Sequence, residues 1–159
     1  MKSVRYWGNL PKIDLEKDVA MKTNVALQLV NQGNLEIAEV GLPAPQDGQI
    51  VVKLFSSGVC HSQLHQMHNA NLPRPMALGH EATGVVIQAG KGVTHVKEGD
   101  HVIVTWVRRT PVRGMPMNAP TGASYKGEPV HRTVYTLAED VLVDANYVVP
   151  ILGLNTPQM

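Results

Sequence analysis

No internal disulfide can form in this chain, because its 159 residues hold one cysteine, and the default compartment for such a chain is a reducing cytoplasm. Aromatic side chains are scarce, with a single Phe, so the core has to rest on Val, Leu, Ile and Met. Charge nearly cancels: 14 Lys and Arg stand against 13 Asp and Glu, for a net charge of +1. That balance gives no electrostatic basis for binding nucleic acid or an anionic membrane surface. No apolar run reaches the roughly 18 residues that a membrane-spanning helix needs. No apolar segment follows the basic N-terminal residues, as a secretory signal would require. Internal repeats and low-complexity segments are also missing. What remains is 43% hydrophobic and 17% charged, the balance of a globular chain of one-domain length.

Along the chain, Met1 to Ala20 is a mixed-charge lead without a period, and Met21 is a second natural start. Residues 1–23 are therefore assigned to an N-terminal extension and 24–150 to the domain. Val25 to Val30 and Leu35 to Val40 flank Asn31-Gln32-Gly33-Asn34, the pattern of strand, turn and strand. A loop is expected at Leu42 to Gly48, followed by a strand at Ile50 to Ser56. His61 to Asn69 reads as a helix with Leu64 and Met67 on one side and His61, His65 and His68 recurring at helical spacing. Strands resume at Gly84 to Ala89 and His101 to Val107. Arg108 to Arg132 holds four prolines and little periodicity, which predicts a long surface loop. Thr133 to Leu137 and Val141 to Val149 read as closing strands. Short strands separated by Gly and Pro predict a mainly β fold, a barrel with one or two short helices.

The chemistry concentrates in two stretches. G-V-C-H-S-Q-L-H-Q-M-H, Gly58 to His68, sets the one cysteine beside three histidines, and L-G-H-E-A-T-G follows at Leu78 to Gly84. Zinc takes thiolate, imidazole and carboxylate ligands, and a catalytic site keeps one position for water or substrate. Cys60, His80 and Glu81 are three ligands of acceptable type on predicted loops. Singly each is a weak signal, since a lone Cys usually packs as a small hydrophobe. A rival metal site would use His61 and His65, one helical turn apart, but it lacks the Glu of an H-E-x-x-H arrangement. Ser62 and a neighbouring histidine are suited to passing protons near neutral pH. Lys91 is followed by Gly92 rather than Ser or Thr, which excludes a P-loop. No dinucleotide fingerprint and no G-x-S-x-G is present.

Taken together, these blocks resemble a known family. G-H-E-A-T-G-V-V-I-Q-A-G-K-G-V, Gly79 to Val93, is similar to the zinc signature of the medium-chain alcohol dehydrogenases. G-V-C-H-S-Q-L-H resembles the segment carrying that family's first zinc ligand and proton relay, and V-K-E-G-D-H-V-I-V, Val96 to Val104, the strand after the signature. The likeness runs from about Asn24 to Val149. It implies a GroES-like catalytic domain, a distorted β-barrel, in which the metal is a Lewis acid that lets an alcohol deliver hydride to NAD or NADP. It further implies Cys60 and His80 as zinc ligands, Glu81 as the adjacent acid that approaches the metal, and Ser62 as the hydroxyl that contacts the alcohol. His65 falls where the relay histidine stands in several members, and His61 where a basic side chain meets the coenzyme pyrophosphate. The implied partner is a small alcohol or aldehyde, and a homo-oligomer is compatible with the sequence.

Three departures from the family pattern stand out. Gln63 replaces the usual Asp beside the zinc, which weakens tuning of the metal. No cysteine occurs between Arg108 and Arg132, so the structural zinc of many members is not expected in its usual form. The third ligand, usually a Cys, belongs to the part of the family's sequence beyond Met159, and residues 151–159 are expected to start a linker to a Rossmann domain absent from the chain. The leading expectation is the catalytic-domain portion of a zinc-dependent alcohol dehydrogenase, inactive by itself. The alternative is a free-standing GroES-like binding or assembly module with a vestigial zinc site. A zinc-free quinone reductase relative is disfavoured, because such relatives generally lack the Cys and His.

Overall fold

The computed structural model describes residues 19–109, 122–132 and 134–153. The expectations placed on residues 1–18, on 110–121, on 133 and on 154–159 lie outside the described residues. Ten strands form two five-stranded sheets. The first contains β1 (Val19–Gln28), β2 (Leu35–Pro43), β4 (Met76–Ala77), β7 (Ser124–Tyr125) and β8 (Glu128–Pro129), in the order β4-β1-β2-β7-β8. The second contains β3 (Gln49–Ser57), β5 (Ala82–Ala89), β6 (His101–Val104), β9 (Asp140–Asp144) and β10 (Val148–Pro150), in the order β10-β6-β5-β3-β9. One α-helix, α1 (His61–His68), and a 3₁₀ turn at Ala145–Tyr147 complete the elements among the described residues. The mainly β architecture expected from the sequence is the one observed.

The core lies between the two sheets and is aliphatic, as the shortage of aromatics required. Val25 and Leu27 of β1, Val40 and Leu42 of β2, and Ile50, Val51 and Val52 of β3 are fully buried in it. β5 shows the alternation of a half-buried strand: Ala82, Gly84 and Val86 are buried while the residues between them are partly exposed. β3 pairs with β5 on one side and β9 on the other, and the consecutive Ile50, Val51 and Val52 near its start are buried on both faces, whereas Lys53 at its middle is exposed.

The sheets are tied together by a buried polar contact as well as by the core. Thr23 Oγ1 donates to Asp140 Oδ2 at 3.1 Å and accepts from the Asp140 amide at 2.9 Å. Both residues are almost entirely withdrawn from water, at 3% and 7% exposure. Thr23→Val keeps the shape and strands a buried carboxylate oxygen and a buried N–H, so a loss of about 1–3 kcal/mol is expected. Urea denaturation of the two forms checks this, and Thr23→Ser should restore most of the loss.

Four expectations need correction. β1 begins at Val19, inside the lead, because Lys22 pairs with Glu39 of β2 across the outer face at 2.6 Å while Thr23 and Val25 turn inward. The predicted loop at Arg108 to Arg132 contains the β7–β8 hairpin, whose turn places Lys126 at φ 50° and Gly127 at φ 80°, the two-residue geometry that matches strand twist. Residues 134–137 of the strand expected at Thr133 to Leu137 do not form one: Thr136 and Leu137 both donate to Leu78 O, at 3.0 Å each, and Leu137 O accepts from Ala26 N–H at 2.8 Å. Their backbone is shared between neighbours rather than paired along one ladder. Finally, α1 has no apolar face, since Leu64 is 49% exposed and Gln63 is its buried residue. The helix is anchored at its ends instead: the Gln28 amide of β1 donates to Met67 O at 3.1 Å, and Arg74 donates to Gln66 O and Asn69 O at 3.4 Å.

Candidate metal centre

The pairing of β3 with β5 explains how residues twenty positions apart converge. Ser57 and Ala82 are partners at the end of that ladder, and Gly58 N–H continues it by donating to Glu81 O at 2.8 Å. Immediately after Gly58 the chain reaches Cys60, the N-cap of α1, and immediately before Ala82 it carries His80 and Glu81. Cys60 has the extended backbone of a cap, φ −112° and ψ 145°. Its N–H is taken by Gln63 Oε1 at 3.3 Å, so Gln63 orients the cysteine through its backbone. A Cβ on Gly58 would stand 2.8 Å from Glu81 Oε2 and 3.2 Å from Glu81 Cβ, so a side chain there would turn the Glu81 carboxylate aside.

The His80–Glu81 loop is built around Gly79 and Thr136. Gly79 has φ +95°, and a Cβ on it would lie 2.5 Å from Thr136 Oγ1 and 2.6 Å from Leu137 N. The buried Thr136 hydroxyl lies 3.2 Å from Glu81 N, 3.3 Å from Glu81 O and 2.9 Å from Ser57 Oγ. Three segments of backbone are thus joined through one hydroxyl, and they fix the direction in which His80 leaves the sheet.

One ligand atom each from Cys60, His80 and Glu81 fall within 4.8 Å of one another, the one such cluster of three among the described residues. Tetrahedral ligands at about 2.0–2.3 Å from zinc stand roughly 3.3–3.8 Å apart, so about an ångström of side-chain movement closes the set on an ion. His80 is 14% exposed and Glu81 56% exposed, with Nε2 and Oε1 3.3 Å apart. The hydroxyl and amide of Ser62 beside the Cys60 sulfur hold its pKa below the ordinary thiol value, which favours the thiolate that binds metal. Apart from that approach to the Cys60 sulfur, the withdrawn Ser62 Oγ makes no hydrogen bond among the described residues. Thiolate, imidazole and carboxylate, with a hydroxyl beside the thiol, fit zinc and an oxygen-bearing ligand.

These residues open on a cavity of about 420 Å³ whose wall also includes Gln66, Trp106, Arg132, Val134 and Tyr147. Cys60, Ser62, His80 and Glu81, all singled out in the sequence, lie on it. His61 and His65 do not. Both are exposed on α1, their rings 4.9 Å apart edge to face, and no third ligand joins them among the described residues. His68 is turned back on its own helix, with Nδ1 2.8 Å from Leu64 O. Thr136, Trp106, Arg132 and Tyr147 escaped the sequence reading, because each reaches the site from an element distant in the chain and none belongs to a spaced motif.

Residues 46–153 match the family model of the alcohol dehydrogenase GroES-like domain. An alcohol dehydrogenase of Moraxella sp. (strain TAE123) is 39% identical over 122 residues, spanning 72% of this chain and 36% of the relative. The NDMA-dependent alcohol dehydrogenase of Amycolatopsis methanolica is 41% identical over 88 residues, spanning 55% of this chain and 24% of the relative. Among solved structures, an alcohol dehydrogenase zinc-binding domain protein from Burkholderia ambifaria superposes with a TM-score of 0.74 at 22% identity, over 84% of this chain and 43% of that one. The chain therefore spans roughly a quarter to a third of the length of these curated relatives.

Proposed function

We propose, on the premise that this chain belongs to the alcohol dehydrogenase family through its GroES-like domain, that it is the zinc-holding catalytic part of an enzyme oxidising alcohols or reducing aldehydes with NAD or NADP. The observation that carries this reading is the convergence of Cys60, His80 and Glu81 within 4.8 Å on the wall of a cavity. Cys60 and His80 would hold the metal, and Glu81, more exposed and free to turn, would share a position with substrate. Bound there, zinc supplies Lewis acidity at the substrate oxygen.

The remaining roles fall to the chain's own groups. Ser62 Oγ, withdrawn from water on the cavity wall beside the Cys60 sulfur, accepts and passes on the proton of the substrate hydroxyl. His65 stands three residues further along α1, a neighbour on the helix surface, and is exposed. It carries that proton to solvent. His61, also exposed at the first position of α1, would meet the coenzyme phosphates. Trp106, 6.4 Å from the His80 ring and nearly perpendicular to it, and Val134 limit water around the reacting groups.

Cobalt substitution tests the reading on the full chain. One cobalt per chain with a thiolate charge-transfer band is expected, and addition of an alcohol should shift the ligand-field bands. A chain that binds cobalt through Cys60 but does not respond to alcohols or aldehydes is a binding or assembly module instead.

A further inference from the structure

We propose that Arg132 recognises a carboxylate on the substrate, so that the alcohols or aldehydes taken by this site carry an anionic group at their far end. The proposal rests on the zinc reading above and narrows its substrate class. Arg132 lines the same cavity of about 420 Å³ as Cys60, Ser62 and His80, and it is partly buried. A guanidinium offers five N–H donors and stays protonated. The contact that Arg132 makes is from Nη2 to the Met76 thioether at 3.4 Å, a weak acceptor. Among the described residues no carboxylate pairs with it.

The other arginines around the site differ. Arg108 donates to Tyr147 Oη at 2.9 Å and lies 3.7 Å from Asp144 Oδ2. Arg74 is spent on backbone carbonyls, Leu72 O at 2.7 Å and those at the end of α1. Among the described residues Arg132 has neither kind of partner. Burial and the Arg74 charge together lower its pKa, so its environment is short of negative charge. Glu81, which shares the cavity, faces His80 at 3.3 Å. Arg132 also holds φ at +148°, a sparsely populated conformation for a residue with a side chain, of the kind that persists at ligand sites. A buried cation without a partner is costly, and an anion delivered by the ligand offsets that cost.

The experiment titrates the cobalt-loaded full chain with 4-(hydroxymethyl)benzoate and, separately, with the uncharged 4-methylbenzyl alcohol. Tryptophan fluorescence and the cobalt bands report binding. The carboxylate compound is expected to bind about 10–100-fold more tightly, the range of a charged hydrogen bond. Arg132→Gln should remove that preference, and Arg132→Lys, which keeps the charge without the planar fork, should keep part of it. Equal affinity for the two alcohols in the unaltered chain overturns the proposal without recourse to a variant. A preference that survives Arg132→Gln also overturns it, since the carboxylate then sits on the metal. Inorganic pyrophosphate binding more tightly than the carboxylate, with loss in Arg132→Gln, overturns it in favour of a coenzyme phosphate. A chain that takes up no cobalt yet still discriminates through Arg132 removes the zinc reading and upholds this one.

Discussion

Replacing Cys60 with Ser is expected to weaken zinc binding by more than about 100-fold, beyond the 10–100-fold typical of groups that only support a ligand. Cys60 is the chain's one thiol, and loss of a thiolate removes both a strong ligand and the negative charge that neutralises the ion. His80→Ala should have a similar effect, because His80 supplies the imidazole of the set. His68→Ala should leave affinity unchanged, since that ring is committed to Leu64 O. Binding should also fall as pH drops, because protons compete for the thiolate and the imidazole. The lowered Cys60 pKa places that competition at a lower pH than for an ordinary thiol. Calorimetric titration of the variants reads all of this. Zinc lost from His68→Ala and kept by Cys60→Ser would place the metal on α1 instead.

Gly79→Ala is expected to cost about 3–5 kcal/mol of stability and to disturb the metal centre with it. The backbone there has φ +95°, which a side chain tolerates poorly. The new methyl group would also press on Thr136 Oγ1 and on the amide nitrogens of Thr136 and Leu137, at 2.5–2.8 Å. The two amides are backbone groups bonded to Leu78 O and the hydroxyl is held by Ser57 and Glu81, so little can move aside, and a loss of this size belongs to the exceptional range for one substitution. Urea midpoints measure it, with the slope against denaturant checked for constancy. A loss below about 1 kcal/mol would mean that the turn is softer than the close packing at Gly79 indicates.

The parts of this molecule that were legible in the sequence are those whose physics is local. The Val-rich runs at Ile50 to Ser56 and Gly84 to Ala89 form strands, because β-branched residues between turn signals have few other uses. Asn31 to Asn34 is a turn, and Gly33 N–H closes it onto Val30 O at 3.1 Å. Lys126-Gly127 was a hairpin signal hidden among the prolines of a segment read as loop. Thr133 to Leu137 has strand composition, yet the hydrogen bonds of Thr136 and Leu137 go to Leu78 and Ala26, a choice that only tertiary contacts decide. For α1, the histidine spacing showed the helix but not which side is buried. Gln63 turns inward because Cys60 and the neighbouring backbone hold it there. At the site, Cys60, Ser62, His80 and Glu81 were visible through family resemblance, whereas the spacing of the residues alone left each of them weak. Thr136 and Arg132 were invisible, since one acts through a single hydroxyl and the other through the absence of a partner among the described residues.

The central claim is that Cys60 and His80 hold one zinc ion together, and zinc K-edge X-ray absorption on the loaded chain tests it most directly. One sulfur at about 2.3 Å with nitrogen or oxygen neighbours at about 2.0–2.2 Å is predicted, the sulfur disappearing in Cys60→Ser. A shell of nitrogen and oxygen alone in the unaltered chain would contradict the account, because the metal would then sit away from the one thiol around which the site is built.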